Sequence, residues 1–207
     1  MPRSVWHADE KSVVEKPAYV DSVQAVFVHH TNHDNIYDCR KDVPVMLLSM
    51  EEHHIHDLGW SDLGYNYVVD RCGNIYEGRA GGRDRTVLGA HTEGFNARSV
   101  GIAALGHYGP GEKVPRPMLE AIAAVAAWKL PPRANPLGRV RLTSSNDESR
   151  VRKGASMTLN VISGHRDAYE TDCPGSALYD ELPRLRRAVA RLRKRAQAAH
   201  GHGKGRF

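Results

Sequence analysis

Residues 23–30 read VQAVFVHH, an almost continuous run of apolar side chains, mostly β-branched or aromatic, that ends in two histidines. Residues 31–35, TNHDN, are polar. This pattern is typical of a buried strand that runs into a loop. We therefore predict a central strand of a sheet here, with His29 and His30 at its end.

Outward from this strand, helix-like and strand-like segments alternate. Apolar residues three and four positions apart predict helices within residues 43–56, 117–129 and 182–192. Short strands are predicted at 65–69 and 75–76, which form a hairpin, and at 100–105 and 158–162. Residues 131–157 are predicted to be a long connection with one edge strand near 140–142. Strands interleaved with helices predict one α/β domain on a single sheet over residues 1–195, followed by a disordered basic tail at 196–207.

The charge of the chain is unevenly distributed. Its formal net charge is +5, but the nine lysines and arginines from Arg184 onward are accompanied by no acidic residue, which leaves 20 basic against 24 acidic residues at positions 1–183. The positive charge therefore belongs to the C-terminal segment. We interpret it as a solvated helix face and tail, with weak attraction to a polyanion as the alternative, and nucleic-acid binding is not predicted.

The sequence carries no pattern of a membrane span or of an export signal. Its longest apolar runs, such as residues 121–127, are far shorter than the roughly 20 residues that a spanning helix needs. The first residues, MPRSVW, lack an apolar stretch before a small-residue cleavage site. We therefore expect either a cytosolic protein or a secreted one in its mature form.

Three cysteines leave one unpaired after any disulfide has formed. Cys39 lies in a loop-like region and Cys72 in the predicted hairpin turn, so a disulfide between them would tie the loop to the hairpin; the alternative is two free thiols. Cys173 differs from both, because it precedes Pro174-Gly175 at a chain reversal and lies eight residues after His165.

Histidine and cysteine side chains are predicted to meet at one end of the sheet. His29 and His30 end the first strand, and His165 and Cys173 flank the end of a later one, so adjacent parallel strands would bring them to the same edge. Side chains alternate along a strand, so one of the paired histidines is expected to take part, and the spacing does not tell which. Two imidazoles and a thiolate form a three-ligand zinc set with a fourth position for water, which suits hydrolysis of an amide.

A rival arrangement uses the same residue types. Cys173 would be a nucleophile, His165 its base and Asp167 the group that orients the base. A zinc ligand and a nucleophile both need a thiolate, so residue type leaves both hypotheses open.

Eight short motifs resemble, in the same order along the chain, those of peptidoglycan recognition proteins and type 2 N-acetylmuramoyl-L-alanine amidases. They are VHHT at 28–31, GWSDLGYNY at 59–67, IYEGR at 75–79, GAHT at 89–92, GFN at 94–96, SVGIA at 99–103, GHRD at 164–167 and TDCPG at 171–175. The resemblance extends over residues 3 to 190, including WHADE at 6–10, where the family usually has Gly in place of His7. It implies a mixed sheet, flanking helices and an L-shaped surface groove that ends at a zinc ion.

The resemblance also implies roles for individual residues. His29, the first of the pair, would bind zinc with His165 and Cys173, and members of the family that only bind wall fragments usually lack the cysteine. Tyr65 would assist the attacking water or the developing oxyanion. Thr171 stands where other members have Lys or Thr, which leaves the proton route without an obvious strong base.

The family's substrate groove corresponds to positions spread along the middle of this chain, which are His54, Gly59, Trp60, Tyr65, Arg79, His91 and Asn96. Gly59-Trp60 and Arg79 are similar to the residues of members that prefer diaminopimelate-type stem peptides. A guanidinium can pair with the additional carboxylate of such a peptide through two parallel hydrogen bonds.

These implications combine into one functional prediction. We expect a zinc-dependent N-acetylmuramoyl-L-alanine amidase, with Zn2+ as its cofactor, that hydrolyses the amide between the lactyl group of the glycan strand and the L-alanine of the stem peptide and prefers diaminopimelate-type peptides. The alternative is a non-catalytic module that binds peptidoglycan. We expect a monomer that is secreted or associated with the cell wall, whose export signal has been removed and whose partner is peptidoglycan or its muropeptides.

Overall fold

A central sheet of five strands organises the protein, which we describe over residues 1–202 of a computed structural model. The strands in chain order are β1 (Ala25–His30), β2 (Tyr67–Val69), β3 (Ile75–Glu77), β4 (Ser99–Ala104), β5 (Arg139–Thr143), β6 (Ser156–Asn160) and β7 (Ile162–Gly164). The order across the sheet is β3-β2-β4-β1-β7, with β3 antiparallel to β2 and the other neighbours parallel. The mixed sheet and the predicted hairpin of β2 and β3 are confirmed.

Strand β1 lies inside the sheet, with β4 on one side and β7 on the other. Residues 25–29 of β1 are completely buried. Because parallel strands that are covered on both faces have continuous apolar sequences, the run at 23–30 does not alternate with polar residues. Both neighbours run in the direction of β1, so the carboxyl ends of β1 and β7 meet at one edge of the sheet.

Helices cover both faces of the sheet. They are α1 (Asp42–Glu52), α2 (Arg116–Lys129), α3 (Ser176–Asp180) and α4 (Leu182–His202). On one face, α2 and α4 contribute Ile122 and Val189 to a core that contains Val26 and Val28. On the other face, α1 and the 3₁₀ turn Arg3–Trp6 pack over β2 and β4. None of the helices described is long and apolar enough to cross a membrane.

The connection between α2 and β7 contains a hairpin rather than one edge strand. β5 and β6 pair with each other in a separate sheet. The prediction of one strand at 158–162 is wrong, because the strand is divided at Val161. The Val161 N–H donates to the Gly138 carbonyl at 3.1 Å, and its carbonyl accepts from the Val26 N–H at 2.8 Å. Val161 therefore connects the hairpin of β5 and β6 to strand β7 of the central sheet.

Helix α4 begins at Leu182 and continues to His202. Leu182, Leu185 and Val189 are buried, as their spacing predicts, whereas Leu192, the fourth apolar residue in this spacing, is 37% exposed. The prediction of a disordered tail at 196–207 is wrong for residues 196–202, because the sequence AQAA at 196–199 has high helix propensity and extends the helix. Residues 203–207 lie outside the described part of the chain.

One disulfide fastens the loop before α1 to the turn between β2 and β3. Cys39 and Cys72 are bonded, with their Cα atoms 6.4 Å apart. This bond confirms the predicted bridge and rejects the alternative of two free thiols. Cys173 is a free cysteine and is buried.

A buried ion-pair network holds the N-terminal segment. The Arg3 guanidinium contacts Glu51 and Asp62, and all three side chains are 5% exposed or less. Asp62 also accepts a hydrogen bond from the Ala80 N–H at 2.6 Å. The N-terminal segment therefore supports the loop at 59–65, which leads into β2.

Candidate active site

Three side chains with metal-binding atoms converge at the edge of the sheet where β1 and β7 end. His29 lies near the end of β1, His165 directly follows β7, and Cys173 lies in the turn before α3. One nitrogen of each histidine and the Cys173 sulfur all lie within 4.8 Å of one another. Adjacent parallel strands thus bring the predicted residues together.

The structure distinguishes the two paired histidines. His29 is completely buried, and its Nδ1 lies 3.7 Å from Cys173 Sγ. The His30 ring takes a different position, where its Nδ1 accepts a hydrogen bond from the Tyr108 N–H at 3.2 Å. The His30 backbone N–H donates to Cys173 Sγ at 3.3 Å. His29 is therefore the member of the pair whose ring faces the cysteine.

The chemistry and spacing of the three donors fit a zinc ion. Zinc–nitrogen and zinc–sulfur bonds at a tetrahedral angle place the two donor atoms about 3.6 Å apart. The distance between His29 Nδ1 and Cys173 Sγ is 3.7 Å. His165 Nε2 is buried and has no hydrogen-bond partner, as is expected of a nitrogen reserved for a metal. His29, His165 and Cys173 would therefore hold the ion.

The rival arrangement, with Cys173 as a free nucleophile, fits the structure less well. Burial raises the pKa of the Cys173 thiol to about 12, so a free thiolate is scarce at neutral pH. A bound dication, by contrast, deprotonates a coordinating thiol. Asp167, the residue expected to orient the base, accepts hydrogen bonds from the Gly164 N–H at 2.9 Å and from the Tyr179 hydroxyl at 2.6 Å. Both of its oxygens thus have partners other than His165.

Two polar groups with predicted catalytic roles lie beside these donors. The ring centroid of Tyr65 is 5.3 Å from that of His29. Burial, and then the charge of Cys173, raise the pKa of the Tyr65 phenol, so its hydroxyl stays protonated and can donate a hydrogen bond. Thr171 Oγ1 accepts a hydrogen bond from the Cys173 N–H at 3.2 Å, which places Thr171 in the turn that presents the sulfur.

An open cavity of about 610 Å³ adjoins Tyr65, and its lining includes Thr31, His33, Met50, His53 and His54. Helix α1 continues as a π-helical turn at His53–Asp57 in which His54 is buried. Gly59 follows this turn with a φ of +68°, a conformation that favours glycine. The Trp60 ring packs on His54 with centroids 4.6 Å apart. Burial lowers the pKa of His54 to about 4, so its ring is neutral near pH 7.

Arg79 is held by the loop that carries Trp60. Its guanidinium donates to the carbonyl oxygens of Asp62 at 3.4 Å and Leu63 at 3.2 Å, and to the Ser61 hydroxyl. It lines a separate cavity of about 70 Å³ rather than the larger one. The structure therefore does not bring Arg79 into the cavity beside Tyr65.

His91 is buried and Asn96 is partly exposed. His91 is 4% exposed, its Nδ1 lies 3.2 Å from His29 Nε2, and burial lowers its pKa to about 3. Asn96 Oδ1 accepts hydrogen bonds from the backbone N–H groups of His91 at 2.9 Å and Thr92 at 2.8 Å. Both side chains thus bind neighbouring protein groups, and their contact with a substrate groove stays a prediction.

Two neighbours of the candidate ligands are missing from the sequence-based prediction. Thr92 is completely buried, and its Oγ1 lies 3.4 Å from His29 Nε2. The Tyr169 ring stacks on His165 with centroids 5.3 Å apart. The four-residue spacing of His165 and Tyr169 is a signal for this contact, because such residues share one side of a helical turn.

Comparisons with known proteins agree with one another on the family of this chain. Residues 19–176 match the family model described as N-acetylmuramoyl-L-alanine amidase. Peptidoglycan-recognition protein SC2 of Drosophila melanogaster is 26% identical over 182 residues, which cover 87% of this chain and 82% of that protein. The N-acetylmuramoyl-L-alanine amidase of Sus scrofa is 33% identical over 160 residues, which cover 77% of this chain and 23% of that protein.

A solved structure extends the agreement to the fold. Peptidoglycan recognition protein-LE in complex with tracheal cytotoxin, a monomeric diaminopimelic acid-type peptidoglycan, superposes with a TM-score of 0.68. The two chains are 25% identical, and the match covers 88% of this chain and 91% of the other. The chain therefore belongs to the family of peptidoglycan recognition proteins and type 2 N-acetylmuramoyl-L-alanine amidases.

Proposed function

We propose that the protein is a zinc-dependent N-acetylmuramoyl-L-alanine amidase, which hydrolyses the amide between the lactyl group of a peptidoglycan glycan strand and the L-alanine of its stem peptide. The observation that carries the proposal is the convergence of His29, His165 and Cys173, with donor atoms within 4.8 Å of one another. The open cavity at Tyr65 provides room for a substrate beside them. Membership of the amidase family supports the same reaction.

The residues around the metal position would stabilise charge as the amide is attacked. A bound zinc ion supplies an activated water near neutral pH and polarises the substrate carbonyl. The protonated Tyr65 phenol would donate a hydrogen bond to the carbonyl oxygen as its negative charge develops. Thr171 Oγ1 accepts from the Cys173 N–H, which leaves its own proton to donate toward the same region. Tyr65 and Thr171 are therefore the proposed catalytic residues.

The cavity walls suit a stem peptide, which is rich in amides and carboxylates. His54 presents a neutral imidazole and Trp60 an aromatic face, and Gly59 allows the turn between them. We propose a preference for diaminopimelate-type peptides, in which the peptide reaches beyond this cavity to Arg79, whose guanidinium pairs with the additional carboxylate. A relative of the same fold is bound to a ligand of that type.

The disulfide supports a proposal for the location of the protein. The Cys39–Cys72 bond suits an oxidising compartment. We therefore propose a secreted or cell-wall-associated monomer, with residues 1–195 as its amidase domain. Its partner would be peptidoglycan or muropeptides, and not nucleic acid, because residues 1–183 contain more acidic than basic groups.

A binding module that leaves peptidoglycan intact is the alternative within the same family. Both candidate functions predict muropeptide binding, so binding alone does not separate them. The free, buried Cys173 beside two histidines favours the enzyme, since a recognition module has no need of a third metal donor.

Substitution of Cys173 tests the proposal. Cys173→Ala should lose bound zinc and release no stem peptide, yet retain muropeptide binding, because the cavity residues are elsewhere. The double variant Cys39→Ala/Cys72→Ala is the matched control, since it removes two cysteines outside the site and should keep zinc and activity at low temperature. Zinc content is measured by elemental mass spectrometry and peptide release by mass spectrometry. Full zinc content and activity in Cys173→Ala would exclude the proposed site.

A further inference from the structure

Each ring nitrogen of His29 has a different neighbour. Nδ1 lies 3.7 Å from Cys173 Sγ, on the side of the proposed metal. Nε2 points the other way, 3.2 Å from His91 Nδ1 and 3.4 Å from Thr92 Oγ1. A neutral histidine that binds a metal through one nitrogen carries its proton on the other. His29 Nε2–H therefore needs an acceptor in a completely buried position.

The protein encloses the His91 ring tightly at this position. A Cβ added to Gly101 would lie 2.3 Å from His91 Cγ, and one added to Gly89 would lie 2.5 Å from His91 Cδ2. Contacts this short never occur, so both glycines are required for the ring to fit. Asn96 Oδ1 fixes the backbone beside the ring by accepting from the N–H groups of His91 and Thr92. The sheet and the loop thus hold the imidazole in one place.

Hydrogen-bond chemistry then assigns the direction of the contact. If His91 Nδ1 carried a proton, two N–H groups would face each other across 3.2 Å. His91 Nδ1 is therefore assigned as the unprotonated nitrogen that accepts from His29 Nε2–H. The proton of the neutral His91 ring then lies on Nε2, which is buried and has no hydrogen-bond partner among the described residues. Thr92 Oγ1 lies 3.0 Å from His91 Nδ1 as well as 3.4 Å from His29 Nε2, so the hydroxyl joins both rings. A group of this kind behind a ligand fixes its tautomer and orientation.

We propose that His91, supported by Thr92, is a positioning residue for the metal ligand His29 and thereby acts in metal retention. The proposal rests on the proposed function, because it takes the zinc to lie at His29 Nδ1. His91 would not itself bind the metal. Its loss should weaken zinc binding, because His29 could then take the wrong tautomer or rotate.

A matched pair of variants separates this role from a packing role. Asn and Leu have similar shapes, but only Asn has an oxygen near the place of His91 Nδ1. We expect His91→Leu to weaken zinc binding about 10- to 100-fold, and His91→Asn to restore most of the affinity. Thr92→Val, which keeps the shape and removes the hydroxyl, should weaken zinc binding less than His91→Leu. Zinc affinity is measured by competition with a chromophoric chelator, and folding of each metal-free variant is checked by circular dichroism.

Unchanged zinc affinity in His91→Leu, or an equal loss in the Leu and Asn variants, would overturn the proposal. The wild-type protein is also assayed for peptide release. Absence of release with zinc bound overturns the proposed amidase activity but not the role of His91. Absence of zinc binding in the wild type overturns both proposals.

Discussion

Removal of the Cys39–Cys72 disulfide should destabilise the protein without damage to the site. The bond joins positions 33 residues apart. A cross-link over this length removes roughly 12 cal/mol/K of entropy from the unfolded chain, which corresponds to about 4 kcal/mol at 25 °C. The native contacts around the bond persist without it: the Cys72 N–H donates to Asp70 Oδ1 at 2.9 Å, and the Arg71 N–H donates to the Tyr37 hydroxyl at 2.7 Å. The loss should therefore arise mainly in the unfolded state.

Urea unfolding of Cys39→Ala/Cys72→Ala checks this value. With a slope of roughly 2.5 kcal/mol/M, the midpoint should fall by about 1.5 M. The control is the effect of a reductant, which should lower the midpoint of the wild type and leave that of the double variant unchanged. A decrease of less than about 1 kcal/mol in the free energy of unfolding would refute the entropic reasoning. It would indicate that the unfolded chain retains structure when the disulfide is absent.

Three further predictions concern the N-terminal network, the cavity and specificity. Arg3→Met should lower the free energy of unfolding, measured in urea, by about 3 to 5 kcal/mol, because two buried carboxylates lose their counter-charge. Arg116→Met, at an exposed ion pair, should lower it by less than about 1 kcal/mol. Equal losses in the two variants would contradict this prediction. Burial lowers the pKa of His54 to about 4 from 6.5, so between these pH values the unfolded state binds a proton that the folded state does not. The free energy of unfolding should therefore decrease as the pH falls from 6.5 to 4. His54→Gln should reduce this dependence on pH, and an unchanged dependence would refute the prediction. Arg79→Ala should weaken the binding of diaminopimelate-type muropeptides about tenfold or more, measured by calorimetry, and should weaken the binding of lysine-type muropeptides little. An equal loss of affinity for both types would refute the proposed pairing of Arg79 with the additional carboxylate.

The local sequence pattern was sufficient to predict the strands and helices whose apolar side chains are buried in the core. The unbroken apolar run of β1 reflects cover on both faces, and the three- and four-residue spacing at Leu182, Leu185 and Val189 reflects the buried side of α4. The division at Val161 was not predictable, because residues 156–164 form one strand-like run. Its position depends on hydrogen bonds to Gly138 and Val26, which are distant in the sequence.

The same limit applies to the site. Alternation along β1 indicates that one histidine of the pair takes part, but the choice depends on where the turn after β7 places Cys173. The position of His91 depends on two glycines that come together only in the folded protein. The motif GAHT therefore draws attention to His91 but does not distinguish a groove residue from one that lies behind a ligand.

The central claim is that bound zinc and peptide hydrolysis belong to one site. The measurement that tests it most directly is the release of free stem peptide from diaminopimelate-type peptidoglycan, followed by mass spectrometry with the purified protein, the chelator-stripped protein and the protein restored with zinc. We predict release that disappears with the chelator and returns with zinc. Release that survives complete removal of zinc, or no release despite measurable binding of zinc and muropeptide, would contradict the claim.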